Sequence, residues 1–156
     1  MANPLPITSV ITGLLAIAQV PLTVLVSYLR GKTGIQFLDG GNETLLRRIR
    51  AHGNFVETVP ITLLAMACAE LSGHATDALW RGGICLVLGR AIHVWAALHP
   101  RGWGLPRIVA MVLTFYAMAG FGIACLRASP LLIVEGMLQR QDGALSVKAD
   151  RVTAPR

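Results

Sequence analysis

Long apolar runs set the pattern of this chain. No charged side chain occurs before Arg30, and from Ile7 to Leu29 it reads ITSVITGLLAIAQVPLTVLVSYL. At about 1.5 Å per residue such a run crosses a bilayer as a helix. A second run, Phe55 to Leu71, is interrupted by Glu57, and a third, Gly82 to His99, carries Arg90 in its middle. The fourth, Ile108 to Leu126, has no charge. Their length, with no turn clusters inside them, favours helices over strands. The expectation is an all-α integral membrane four-helix bundle with spans at about residues 7–29, 54–72, 80–99 and 107–127. Residues 1–138 then form a single transmembrane domain, and 139–156 form a polar, disordered tail. A cleaved leader ending at Ala16-Ile17-Ala18 is disfavoured: no Lys or Arg precedes the run, which continues well past that site.

The punctuation divides the runs. Gly31 to Asn42 reads as a Gly-rich loop. Asn42 is placed to cap a helix from Glu43 to near Leu71, whose first two turns project into water. Ser72 to Asp77 is a short turn. Pro100 to Pro106 is another, with Trp103 at the membrane interface. Leu131 to Leu138 is too short to span and suits an interfacial position. Pro21 is expected to kink the first span. There is no internal repeat.

Composition agrees with this pattern. Of 156 residues, 54% are hydrophobic and 14% charged, and mean hydropathy is +0.60. A soluble domain carries about 25% charged residues. The net charge of +6 invites a nucleic-acid reading, but the basic residues sit at the ends of apolar runs and no recognition motif accompanies them. Arg30, Lys32, Arg47, Arg48, Arg50, Arg101 and Arg107 fall in the first and third connections. The positive-inside rule puts those connections in the cytoplasm and both termini on the opposite side. Cys68, Cys85 and Cys125 lie within spans and read as small core residues. No metal-ligand spacing involves them, and no metal is expected.

Chemistry enters with the polar groups inside the spans. Each intramembrane charge costs about 2.5–3.5 kcal/mol on insertion scales and calls for a partner or a wet cavity. Arg50, Asn54 and Glu57, at i, i+4 and i+7, share one helix face. Arg90, His93 and Ala97 do the same on the next span. One reading is a Glu57–Arg90 ion pair that fixes packing. The other is a cavity between the two stripes, where guanidinium groups hold carboxylates and Glu57 holds an ammonium. A small zwitterion with extra carboxylates, such as a glutathione-like tripeptide, fits; so do lipid headgroups or a nucleotide.

The stretch Arg48-Ile49-Arg50-Ala51-His52-Gly53-Asn54-Phe55-Val56-Glu57-Thr58-Val59-Pro60 resembles the signature R-x-R-A-H/Q-x-N-x-x-E-x-x-P of the membrane-associated proteins in eicosanoid and glutathione metabolism (MAPEG). The resemblance covers roughly residues 5 to 128. It implies a homotrimer that binds glutathione as co-substrate at subunit interfaces, near the cytosolic helix ends. By resemblance Arg50, His52, Asn54 and Glu57 contact glutathione, Arg30 is supplied by the neighbouring subunit, and Arg90 matches the arginine of the third span. His93 is a further candidate contact and proton shuttle. Arg107 is the candidate for the catalytic arginine that holds the thiolate, with Arg101 as the alternative. The pattern departs from leukotriene-synthase-like members at Thr58, His93 and Ala97, where they carry tyrosines. It is closer to microsomal glutathione transferases and their bacterial relatives. The implied function is a membrane-bound glutathione transferase, or one that also acts as a peroxidase, working on a hydrophobic or lipid substrate that arrives through the bilayer; Trp95 and Trp103 read first as packing residues or interface anchors, and otherwise as lining that entrance. The implied site is the bacterial inner membrane, or the endoplasmic reticulum for a eukaryotic source. The alternatives are a non-catalytic lipid- or glutathione-binding member of the family and a small solute transporter or channel.

Overall fold

The structure, a computed structural model, describes residues 3–99 and 104–128. Arg101, Trp103, the 131–138 stretch and the 139–156 tail lie outside the described residues. The described chain forms α1 (Pro6–Thr33), α2 (Glu43–Leu71), α3 (Thr76–Leu98) and α4 (Leu105–Ala128). All four are long and apolar enough to cross a membrane.

Local chemistry explains where each helix begins and ends. α1 runs past Gly31 to Thr33, so the first connection is shorter than the run of glycines suggests. Arg30 and Lys32 sit in its last turn, where cations suit the helix dipole. Termination falls to Gly34, left-handed at φ 69°, whose N–H bonds the Arg30 carbonyl. Asn42 caps α2 by accepting from the Leu45 N–H at 3.0 Å. Pro21 lies within α1, which continues through it.

The start of α1 has no capping side chain of its own, because the residue before it is Leu5. Glu70, in the last turn of α2, serves instead. Its Oε1 accepts from the Ile7 N–H at 2.9 Å and its Oε2 from the Thr8 N–H at 2.8 Å. One carboxylate thus satisfies two of the orphan donors of a helix start and faces its positive end.

The core is a seam of apolar residues at helical spacing. Ile7, Ile11, Leu15 and Leu22 of α1 meet Phe55, Val59 and Met66 of α2, Leu79 and Leu86 of α3, and Ala117 and Phe121 of α4. α3 joins this seam through glycine. A Cβ at Gly82 would lie 2.4 Å from Phe121, one at Gly83 2.8 Å from Ile11, and one at Gly89 2.9 Å from the Ala110 carbonyl oxygen. Such close backbone approach is typical of helix packing in lipid. The outer faces are as apolar as the inner ones. Leu14, Ile17, Val20, Val24, Leu64, Val112 and Phe115 are all exposed on the isolated chain. Water does not tolerate that much contiguous apolar surface, whereas acyl chains do. The molecule is a multi-pass membrane protein built as a four-helix bundle.

Candidate functional site

One end of the bundle opens into a cavity of about 780 Å³ between α2, α3 and the start of α4. The i, i+4, i+7 stripe of α2 brings Arg50, Asn54 and Glu57 to its wall. His93, Ala96 and Ala97 come from α3, and Arg107 from the first turn of α4. Glu43 and Arg47 stand at the rim, joined by an i, i+4 ion pair at 3.6 Å. Five of the eight residues anticipated from sequence therefore converge: Arg50, Asn54, Glu57, His93 and Arg107.

Arg90 stands behind the wall, only 2% exposed. Its Nη1 donates to Asn54 Oδ1 and to Thr58 Oγ1 (3.1 Å), and its Nη2 to Thr114 Oγ1 of α4. Each threonine hydroxyl accepts from the guanidinium and donates to a carbonyl of its own helix. Thr58 donates to Asn54 O at 2.8 Å, and Thr114 to Ala110 O at 2.9 Å. The cation thus ties three helices together and holds the Asn54 amide oxygen, which orients the amide group. Among the described residues no ion pair joins Arg90 to Glu57. The packing ion pair considered from sequence does not form, because the side chain one position on from Glu57 is the one that faces α3.

The basic run on α2 divides between structure and site. Arg48 donates to Leu25 O of α1 at 3.0 Å, and Arg47 to His99 O at the end of α3 at 3.2 Å. His52 also faces α1: its Nε2 lies 3.0 Å from Gln19 Nε2 and 3.2 Å from Thr23 Oγ1. Arg30 bonds the carbonyls of Ile35, Gln36 and Leu38 through Nη1, holding the α1–α2 connection. Arg30 and His52 thus lie off the cavity wall. Sequence reasoning missed Thr58, Thr114 and Glu70 as organising residues. The signal for the threonines is the need of a buried guanidinium for oxygen acceptors, with Thr58 at i+4 from Asn54.

Chemically, the cavity offers Arg50 and Arg107 at its surface, with the Arg90 charge behind and Glu57 as an exposed carboxylate. An anionic ligand that also carries one ammonium group complements this set. His93 is buried to 4% exposure, and among the described residues its Nδ1 has no hydrogen-bond partner.

Comparison with known proteins agrees with the membrane bundle. The chain is 37% identical over 71 residues to the inner membrane protein YecN of Escherichia coli K12, and equally to YecN of E. coli O6:H1 strain CFT073. The match takes in 46% of this chain and 54% of each relative, so the chain spans about half the length of the curated relatives it matches. The family model described as the MAPEG family covers residues 8–127, from the first turn of α1 to the last turn of α4, and with that extent of match this four-helix membrane protein belongs to the MAPEG family.

Proposed function

We propose that this protein is a membrane-bound glutathione transferase, a homotrimer in a bacterial inner membrane, with its cavity toward the cytoplasm and its termini on the other side. One observation carries the reading: the cavity in which Arg50, Asn54 and Glu57 of the signature stretch share a wall with His93 and Arg107. Glutathione has two carboxylates, one ammonium and a thiol. Arg50 and Asn54, with Arg30 and His52 from across a subunit boundary, hold its carboxylates and backbone groups. Glu57 takes the ammonium. Arg107 stabilises the thiolate, which lowers the thiol pKa from about 8.5. Each unit is worth about 1.4 kcal/mol. The thiolate sulfur then attacks an electrophilic carbon and displaces its leaving group, or attacks the terminal oxygen of a lipid hydroperoxide, whose O–O bond breaks so that the alkoxide leaves as an alcohol after taking up a proton; a second glutathione then reduces the resulting sulfenic acid, giving glutathione disulfide and water. The hydrophobic partner enters from the bilayer.

The test is ultraviolet thiolate absorbance on adding glutathione to the detergent-purified protein, with S-alkylated glutathione as control. A saturable band that the control lacks is the expected result. No band and no competing binding would overturn the reading. A second reading, a non-catalytic binder, is favoured by the absence of tyrosine from the described cavity wall: Ala97 and His93 stand on α3, and Thr58 is committed to Arg90. Binding without the band selects it. The solute-path alternative rests on the pair of intramembrane charges, Glu57 and Arg90; the hydrogen bonds of Arg90 to neutral oxygens give one of the two a packing role and so favour the transferase reading over it.

A further inference from the structure

Two of the three cysteines meet far from the cavity. Cys68 lies one turn before the end of α2, and Cys125 one turn before the end of α4. From Glu57 to Cys68 is about 16 Å along α2 at about 1.5 Å per residue. The Cys125 thiol donates to the Ala65 carbonyl at 3.1 Å, so it rests on the turn of α2 that carries Cys68. Ala69 of α2 and Ala124 of α4 are buried beside them, and such small residues let two helix backbones approach closely. Cys68 is exposed, Cys125 is half-buried, and Cys85 stands on α3.

We propose that Cys68 and Cys125 are a redox pair that closes to an intramolecular disulfide and locks the distal ends of α2 and α4 together. The oxidant is a small disulfide. Cys68, the exposed thiol, loses its proton and attacks one sulfur of the oxidant. The oxidant's S–S bond breaks, and half of it leaves as a thiol after taking up a proton. Cys125 then loses its proton and attacks the Cys68 sulfur of the mixed disulfide, and the second half leaves as a thiol. Two protein thiols are oxidised, and one disulfide is reduced to two thiols. Under the orientation in the proposed function this end faces the non-cytoplasmic compartment, where disulfides persist. Closure of the pair itself does not depend on that orientation.

The test uses the full chain in detergent, treated with glutathione disulfide and then with a maleimide. Reactive thiols are expected to fall from three to one, with a mass loss of two hydrogens, one cross-linked peptide containing Cys68 and Cys125, and full recovery on adding dithiothreitol. In Cys85→Ala the count falls from two to none, and in Cys125→Ser a stable glutathione adduct stays on Cys68. A stable adduct on Cys68 in the unaltered chain overturns the proposal. So does a disulfide that joins two chains, or retention of all three thiols. The readout needs neither glutathione activation nor turnover, so this pairing and the transferase reading fail separately.

Discussion

Arg90 and Arg107 show how differently two guanidinium groups behave a few residues apart in space. The protein replaces water around the Arg90 Nη groups: Asn54, Thr58 and Thr114 accept hydrogen bonds from them. Replacing Arg90 by Met leaves those oxygens without their donor, at about 1–3 kcal/mol for each one left unsatisfied. Arg90→Met is therefore expected to lower the thermal midpoint in detergent clearly and to weaken glutathione binding by releasing Asn54. Arg90→Lys is expected to rescue little, since one ammonium cannot imitate a planar fork that reaches two helices. Unchanged affinity in a folded Arg90→Met protein would show that Asn54 needs no such anchor. Arg107 stands at the cavity mouth, so its replacement should spare the fold. Arg107→Ala is expected to abolish the thiolate band and to cut turnover by about 100-fold or more, the scale of losing one charge-stabilising donor, while binding changes little. Arg101→Ala is the comparison, and equal loss there would reopen the choice between them. The sequence discloses the Arg50, Asn54 and Glu57 stripe because a period of 3.6 residues puts them on one face. It conceals the partners of Arg90. Pairing by charge points to Glu57, but one residue is about 100° around a helix, and that turns Thr58, not Glu57, toward α3.

Helices are legible as apolar runs, whereas the contacts that lock them depend on single atoms. The Asn42 cap is local and can be read from the sequence. The cap on α1 joins residues far apart in the chain, since Glu70 closes a helix start made by Pro6, Ile7 and Thr8, and nothing in the local pattern around Glu70 announces it. Glu70→Gln removes the charge and replaces one of the two acceptor oxygens by a donor NH2, so one of the Ile7 and Thr8 N–H groups loses its partner. It is expected to cost about 1–3 kcal/mol in unfolding measurements, the worth of an anion at a helix start together with one unsatisfied N–H, with no change in glutathione affinity. α3 makes the sharper case. A methyl group at Gly89 would meet Thr114 Oγ1 at 2.8 Å and the Ala110 carbonyl at 2.9 Å, so backbone must move. Gly89→Ala is therefore expected to destabilise by about 1–3 kcal/mol and also to weaken ligand binding, because Thr114 is an acceptor for Arg90. Gly13→Ala is the control, since nothing lies within 4 Å of its would-be Cβ, and gaining a Cβ favours a helix. Equal thermal midpoints for the two variants would mean that α3 and α4 are not in register as described.

At the scale of the whole molecule, the question is whether one chain makes a complete site. The cavity gathers residues of α2, α3 and α4, while Arg30 belongs to α1 and His52 of α2 faces α1. Two accounts of Arg30 follow. In one it acts on its own subunit, holding the carbonyls of Ile35, Gln36 and Leu38 so that the connection before α2 keeps its shape. In the other, which the proposed trimer requires, it completes the cavity of a neighbour. Head-to-tail packing around a three-fold axis makes every site a mixture of two chains, and mixing two inactive variants separates the accounts. Arg30→Ala and Arg107→Ala are each expected to lack the thiolate band. Co-assembled in equal amounts, they form some sites in which the cavity comes from an Arg30→Ala chain and the neighbour is an Arg107→Ala chain. Such a site holds both arginines. Random assembly makes about a quarter of all sites of this kind, so about a quarter of the wild-type band is expected to return. If Arg30 serves only its own connection, each cavity carries one defect or the other and no mixture restores it. A band that stays absent from the co-assembled protein, with mixing verified by distinct tags, would therefore remove Arg30 from the site and with it the argument that the site lies between subunits.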